Sequence, residues 1–146
     1  MDKNDEKILE ILKMDGRITV SDISRKINLS VPAVAERIRK LEQSKTIEKY
    51  LVRLNRMELG YTLLAFISVT LDKTENISRF REKIITCPNV LECHHIAGQG
   101  DYLLKVLVKN TLELENFLMN ELKKIPGVIS SNTTICLSTL KEELNV

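Results

Sequence analysis

Two prolines impose the strongest constraint on how this chain can fold. Cys87-Pro88-Asn89-Val90 and Ile125-Pro126-Gly127-Val128 each follow a run with apolar residues at helical spacing. Each also precedes a run with apolar residues at alternate positions. Proline cannot continue a helix, because it lacks the amide donor and its ring clashes with the preceding turn. The flanking pattern therefore reads as a duplication. Tyr61 to Leu71 is a strand, Asn76 caps a helix with Ile77, Phe80 and Ile84 inward, and Val90 to Ala97 is a strand. The order then recurs: strand Tyr102 to Lys109, then a helix capped by Thr111 with Leu114, Phe117, Leu118, Leu122 and Ile125 inward, then strand Val128 to Leu140. Two strand-helix-strand units in tandem predict a ferredoxin-like βαββαβ domain over residues 61–146. Two helices cover only one face of such a sheet. The first strand carries Leu63, Ala65, Ile67 and Val69 on one side and Leu64 and Phe66 on the other. Both faces are apolar in part, so a bare face that pairs with a second copy is expected.

The first 46 residues have a different period. Asp2 suits an N-cap for a helix from Lys3 to Met14, with Ile8, Leu9, Ile11 and Leu12 on one side and Gly16 as a left-handed stop. Thr19 and Asp22 form a capping-box pattern ahead of a helix burying Val20, Ile23 and Ile27, which stops at Asn28-Leu29. Ser30 then caps a third helix, reaching Ser44, with Pro32 in its first turn and Val34, Ile38 and Leu41 inward. A helix followed by two short helices joined by a tight turn is a helix-turn-helix arrangement, although the spacing alone also suits a plain three-helix bundle. The outer face separates the two readings. Ser30, Val31, Pro32 and Ala33 make a small, smooth N-terminal end that can enter a groove of double-stranded DNA. Glu36, Arg37, Arg39 and Lys40 follow, with cations placed to meet phosphates. An α+β chain is thus expected: helices over 1–46, a linker over 47–60 with a strand at Ile47 to Leu54, and the βαββαβ domain.

Charge agrees in direction. The net charge is +2, with 13 Lys/Arg against 10 Asp/Glu in residues 1–60 and 9 against 10 in the rest. Three cysteines, Cys87, Cys93 and Cys136, with no Cys-x-x-Cys pair, support neither a disulfide framework nor a zinc ribbon. Cys93-His94-His95 puts only two ligands on one strand face, too few for a closed metal site. No nucleophile-base-acid order and no phosphate-binding glycine loop occur, so no catalytic residues, cofactor or metal are expected. The N-terminus lacks signal-peptide character and no apolar run reaches membrane length, so a cytoplasmic protein without membrane contact is expected.

Taken in order, the segments Asp15-Gly16-Arg17-Ile18, Leu29-Ser30, Glu36-Arg37-Ile38-Arg39-Lys40-Leu41-Glu42, Val90-Leu91-Glu92-Cys93-His94-His95, Gly98-Gln99-Gly100-Asp101-Tyr102-Leu103-Leu104-Lys105-Val106 and Leu122 through Val128 resemble the leucine-responsive regulatory protein family, also called Lrp/AsnC or feast/famine regulators. The likeness runs from Asp2 to about Leu140. It implies a transcription regulator with a DNA-binding helix-turn-helix domain, a strand linker, and a C-terminal domain that binds an effector, usually an amino acid. It also implies a homodimer that assembles into a tetramer or octamer. By the same resemblance, the loop Gly98, Gln99, Gly100, Asp101 and Tyr102 and the strand residues Thr133, Thr134 and Ile135 line the effector pocket. The chemistry is compatible: glycines let backbone amides approach a carboxylate, Asp101 can accept from an ammonium group, and the threonines offer hydroxyls. Read without the resemblance, the glycines suit a tight strand-to-strand turn. The chain departs from the family pattern at Gln99-Gly100, where an acid and an aromatic are usual. It departs again at Thr46, where glycine is common, and at Asn55-Arg56, where Asp-Pro is common.

Two other readings are compatible with the likeness. One is an architectural DNA-binding protein that ignores effectors. The other is a sirohaem decarboxylase-like enzyme, a role in which relatives tend to lose the basic helix that Arg37, Arg39 and Lys40 supply here. If Arg37 reads a base, Arg37→Ala is expected to cost about 1–3 kcal/mol of operator binding.

Overall fold

In the computed structural model, which describes every residue except Lys73, Leu144 and Val146, Asp2 caps α1 (Lys3–Met14). Its carboxylate accepts the amides of Asn4 and Asp5 at 2.8 and 3.0 Å, and Asp5 accepts the Asp2 amide in return. α1 ends without the expected left-handed glycine. The chain leaves the helix extended at Asp15, whose carboxylate accepts the Arg17 amide at 2.9 Å, so Gly16 needs no positive φ. Thr19 caps α2 (Val20–Ile27), and Asn28 closes it in the left-handed region. The Ser24 hydroxyl, almost fully buried, donates to the Leu29 carbonyl at 2.7 Å, and the Leu29 amide returns to the Ser24 carbonyl. This turn fixes the approach to α3 (Val31–Gln43), capped by Ser30. Ile8, Ile23, Val34 and Leu41 form the core of the three helices. These helices lie in one compact unit, Met1–Leu54, and the sheet lies in another, Asn55–Glu142.

Two features between the units depart from expectation. Residues 47–54 form no strand and join no sheet ladder among the described residues; Leu51, Val52 and Leu54 stand exposed. The residue after α3 that turns left-handed is Lys45, at φ 58°, a conformation its residue type does not predict. Residues 56–60 make a turn closed by Gly60 N–H on the Met57 carbonyl at 2.9 Å.

The second unit is a four-stranded antiparallel sheet of order β2-β3-β1-β4: β1 Leu63–Leu71, β2 Val90–Gly98, β3 Gly100–Val108 and β4 Val128–Cys136. α4 (Ile77–Ile84) joins β1 to β2, and α5 (Thr111–Asn116) follows β3. The α5 cap is Asn110 rather than Thr111; the Asn110 side chain accepts the Glu113 amide at 2.9 Å. α5 widens into one π-helical turn at Phe117–Glu121, then tightens at Leu122–Lys124. An i to i+5 turn brings Phe117 and Leu122 to the same side, and both are fully buried. They pack with Phe80, Ile84, Ala65, Ile67, Val69, Tyr102, Leu104 and Val106. Among the described residues no helix is long and apolar enough to cross a membrane.

The duplication is visible in atoms. The Val90 amide bonds the Cys87 carbonyl and the Val128 amide bonds the Ile125 carbonyl, so each proline sits second in a four-residue turn. Gly127 adopts φ 92°, and a Cβ there would lie 2.4 Å from the Asn76 Cβ. Gly127→Ala is therefore expected to lose about 1–3 kcal/mol of stability in urea unfolding. Gly98→Ala, with open space and an ordinary φ, is expected to leave stability unchanged or slightly higher.

Candidate nucleic-acid interface and pocket

α3 presents one continuous exposed stripe: Val31, Pro32, Ala35, Glu36, Arg39, Lys40, Glu42 and Gln43. At ~100° per residue these fall on one half of the helix. Ala33 is half-buried at the margin. Ala35, absent from the expected set, lies in the middle of the stripe. Its methyl is the type of group that contacts thymine methyls in the major groove. Ser30 is committed to its cap, its hydroxyl accepting the Ala33 amide at 3.3 Å.

Arg37 lies on the other half. Its guanidinium donates to Asp2 and Asp5 at 2.7 Å each, tying the first turn of α1 to the middle of α3. Its side chain is 29% exposed and that of Asp5 only 17%. The Asp2 carboxyl is held below its usual value by the Asp5 amide and then by Arg37; Asp5 is lowered by the Asp2 amide and then by Arg37. Arg37 is raised in turn, first by Asp5. The structure thus gives Arg37 an interhelical partner in place of the outward position expected of it. On the outer face, Glu36 takes two hydrogen bonds from Arg39 at 2.8 and 2.6 Å, and Lys40 stands 3.8 Å away.

On the sheet, the face opposite α4 and α5 is open and carries a concavity of about 590 Å³. Phe66, Ser68 and Thr70 from β1, Ile96, Gln99, Gly100 and Leu103 from the β2-β3 hairpin, and Ser130, Ser131, Asn132 and Thr134 from β4 line it. No lining side chain is ionisable. Of the residues expected there, Gln99, Gly100 and Thr134 reach it. Thr133 and Ile135 pair with Ile67 and Ala65, so they project to the helix-covered side. Tyr102 lies on that side as well, 2% exposed, stacked on His95, with its hydroxyl accepting from Arg81 Nε at 2.6 Å. The Asp101 carboxylate accepts the Leu71 amide at 2.7 Å. Gly98 ends β2, and a Cβ added there would meet nothing within 4 Å. Gly100 is required by close approach: at φ 89° its Cβ would sit 2.4 Å from Ser68 Oγ and 3.1 Å from the Val69 carbonyl. Ser68, Thr70, Ser130 and Asn132 were missed; they share the parity of Thr134 through the strand register.

His94 contacts Glu92 at 3.1 Å on the open face, and Lys105 bridges Glu92 and Glu142. Among the described residues no three His, Cys, Asp or Glu side chains could hold a metal ion.

Residues 1–48 match the winged helix-turn-helix DNA-binding model and residues 64–146 match the Lrp/AsnC ligand binding domain. The Bkd operon transcriptional regulator of Pseudomonas aeruginosa is 35% identical, with 96% of this chain and 93% of that protein covered. The HTH-type transcriptional regulator FL11 of Pyrococcus horikoshii is 37% identical over 97% of this chain and 93% of its own. A solved transcriptional regulator of Neisseria meningitidis, in complex with L-methionine, superposes with a TM-score of 0.96 at 27% identity, covering 100% of this chain and 96% of that one.

The Arg37 geometry has a pH signature. Asp2 and Asp5 are depressed when folded, so their stabilisation is complete above the unfolded carboxylate value and is lost as pH falls through the folded values. Arg37→Ala should lower the melting temperature of the helical unit at pH 7, and the deficit should shrink below about pH 4. A deficit independent of pH would assign Arg37 a packing role instead.

Proposed function

Because the chain belongs to the Lrp/AsnC family, we propose that it is a transcription regulator that reads duplex DNA with α3 and responds to a small amino-acid-like ligand on the open sheet face. The observation that carries the DNA reading is the stripe of α3. It runs from small residues at the capped N-terminus to cations in the later turns, while the helix core beneath it is closed. Short side chains at Val31, Pro32 and Ala35 let the helix enter a groove, and Arg39 and Lys40 then meet phosphates.

A second copy completes the reader. Leu51, Val52 and Leu54 are exposed in the linker, and Phe66 is exposed on the sheet. Burying them in a homodimer would pair two α3 helices on one side of the duplex, and further association would give the tetramer or octamer. The ligand reading is supported by the concavity, whose hydroxyls and amides alternate with Phe66, Ile96 and Leu103. A neutral side chain fits that lining better than a charged one, which would be desolvated without a counter-charge. The methionine complex of the Neisseria relative concerns a ligand of this class. The relatives described above are regulators by name rather than enzymes.

Ala35→Glu puts a carboxylate mid-stripe without touching the core. It should weaken DNA binding at least ~10-fold at unchanged melting temperature. Footprints of the wild type should show discrete sites phased at ~10 base pairs; continuous coverage without sequence preference would favour the architectural alternative. In a thermal-shift screen against the twenty amino acids, a bound ligand at a hundredfold excess over Kd stabilises by about 2.7 kcal/mol. Neutral amino acids should produce the shift, and Asn132→Ala should reduce it while leaving DNA affinity intact. No shift with any of the twenty would remove the amino-acid switch.

A further inference from the structure

Glu36 occupies the centre of the groove-facing stripe, one turn beyond Pro32 and beside Ala35. Its carboxylate takes both hydrogen bonds from Arg39, and Lys40 lies within ion-pair range. All three side chains are about half exposed or more, so the cluster is on the surface and free to rearrange. Arg39 is paired and Lys40 shares the same single carboxylate at longer range, so the cluster presents a net charge of about +1 rather than +2 to DNA. Sequence-independent attraction to DNA comes from cations released to phosphate. A phosphate that draws the Nε and Nη2 donors of Arg39, or the Lys40 ammonium, away from Glu36 leaves that carboxylate facing a polyanion.

That cost can be recovered at one kind of base edge. In the major groove, hydrogen-bond donors are offered only by the N4 amino group of cytosine and the N6 amino group of adenine; guanine presents acceptors, and thymine an acceptor and a methyl. The small side chains around Glu36 let the helix approach closely enough for a two-carbon stem to reach. We propose that Glu36 is the specificity-determining residue of α3: it holds Arg39 and Lys40 back from phosphates except where a base-edge amino group takes its carboxylate. Specificity then arises largely from a penalty at wrong sites. This rests on α3 being the DNA-reading helix.

The test uses the full-length chain. A random-sequence duplex library is selected on the wild type, and the enriched duplex and a scrambled one of equal length are titrated across KCl concentrations. E36Q is compared with E42Q, which removes the same charge from the last turn, where Glu42 accepts from Tyr50. E36Q is expected to bind scrambled DNA about tenfold more tightly, to steepen its salt dependence by about one to two units at ~0.9 per phosphate, and to lose most of the preference for the selected duplex. Reselection with E36Q should erase a cytosine or adenine from the motif. A preference ratio unchanged from wild type, or effects equal to those of E42Q, would overturn the proposal. A wild type that enriches no sequence would overturn the DNA-reading assignment of α3 itself, which is a separable result.

Discussion

Water is excluded from the middle of one side of the sheet, where Ala65, Ile67 and Val69 of β1 and Leu104 and Val106 of β3 meet Phe80, Ile84, Phe117 and Leu122. Full burial of these side chains fixes the pleat, and the pleat fixes every residue on the opposite side. Ser68 and Thr70 face the concavity because Ile67 and Val69 beside them are buried, and Asn132 and Thr134 follow through their register with Ser68 and Phe66. The π-helical turn at Phe117–Glu121 belongs to the same constraint. It gives up regular helix geometry so that two large apolar side chains five residues apart can both enter the core.

The helical unit is governed by its turn. Asn28 in the left-handed region and the Ser24 hydroxyl on the Leu29 carbonyl set the angle at which α3 leaves α2. The ion pairs from Arg37 to Asp2 and Asp5 add a second fixed point from the opposite side. α3 is thus held at both flanks, with its outward stripe undisturbed, and the charge of that stripe is moderated by Glu36 alone in its central turns.

Much of this was legible in the sequence because it depended on local pattern. Pro88 and Pro126, the caps Asp2, Thr19 and Ser30, and the periodic apolar stripes located the helices and the four strands. What sequence could not supply was long-range pairing. Residues 47–54 have strand-like residues but join no sheet ladder among the described residues. Arg37 is a cation on a basic helix, and only the packing of α1 against α3 brings Asp2 and Asp5 to it, although its angular position already set it apart from Arg39 and Lys40. Ala35 lies between Arg39 and Val31 on the outward half of α3, a place that helical spacing alone gives it. In the pocket, parity was the missing information: a shift of one residue moves a side chain to the other face, which separates Thr134 from Thr133 and Ile135.

Lys45 holds a left-handed backbone without being glycine, at the point where the chain leaves α3. A non-glycine residue there carries conformational strain of order ~1 kcal/mol. The helical unit consequently sits below the stability its own packing would permit, as natural domains commonly do. A more heat-resistant form of this domain is open at Lys45, an exposed residue outside the core and beyond the end of α3, so adaptation to temperature and the choice of DNA sequence can proceed independently.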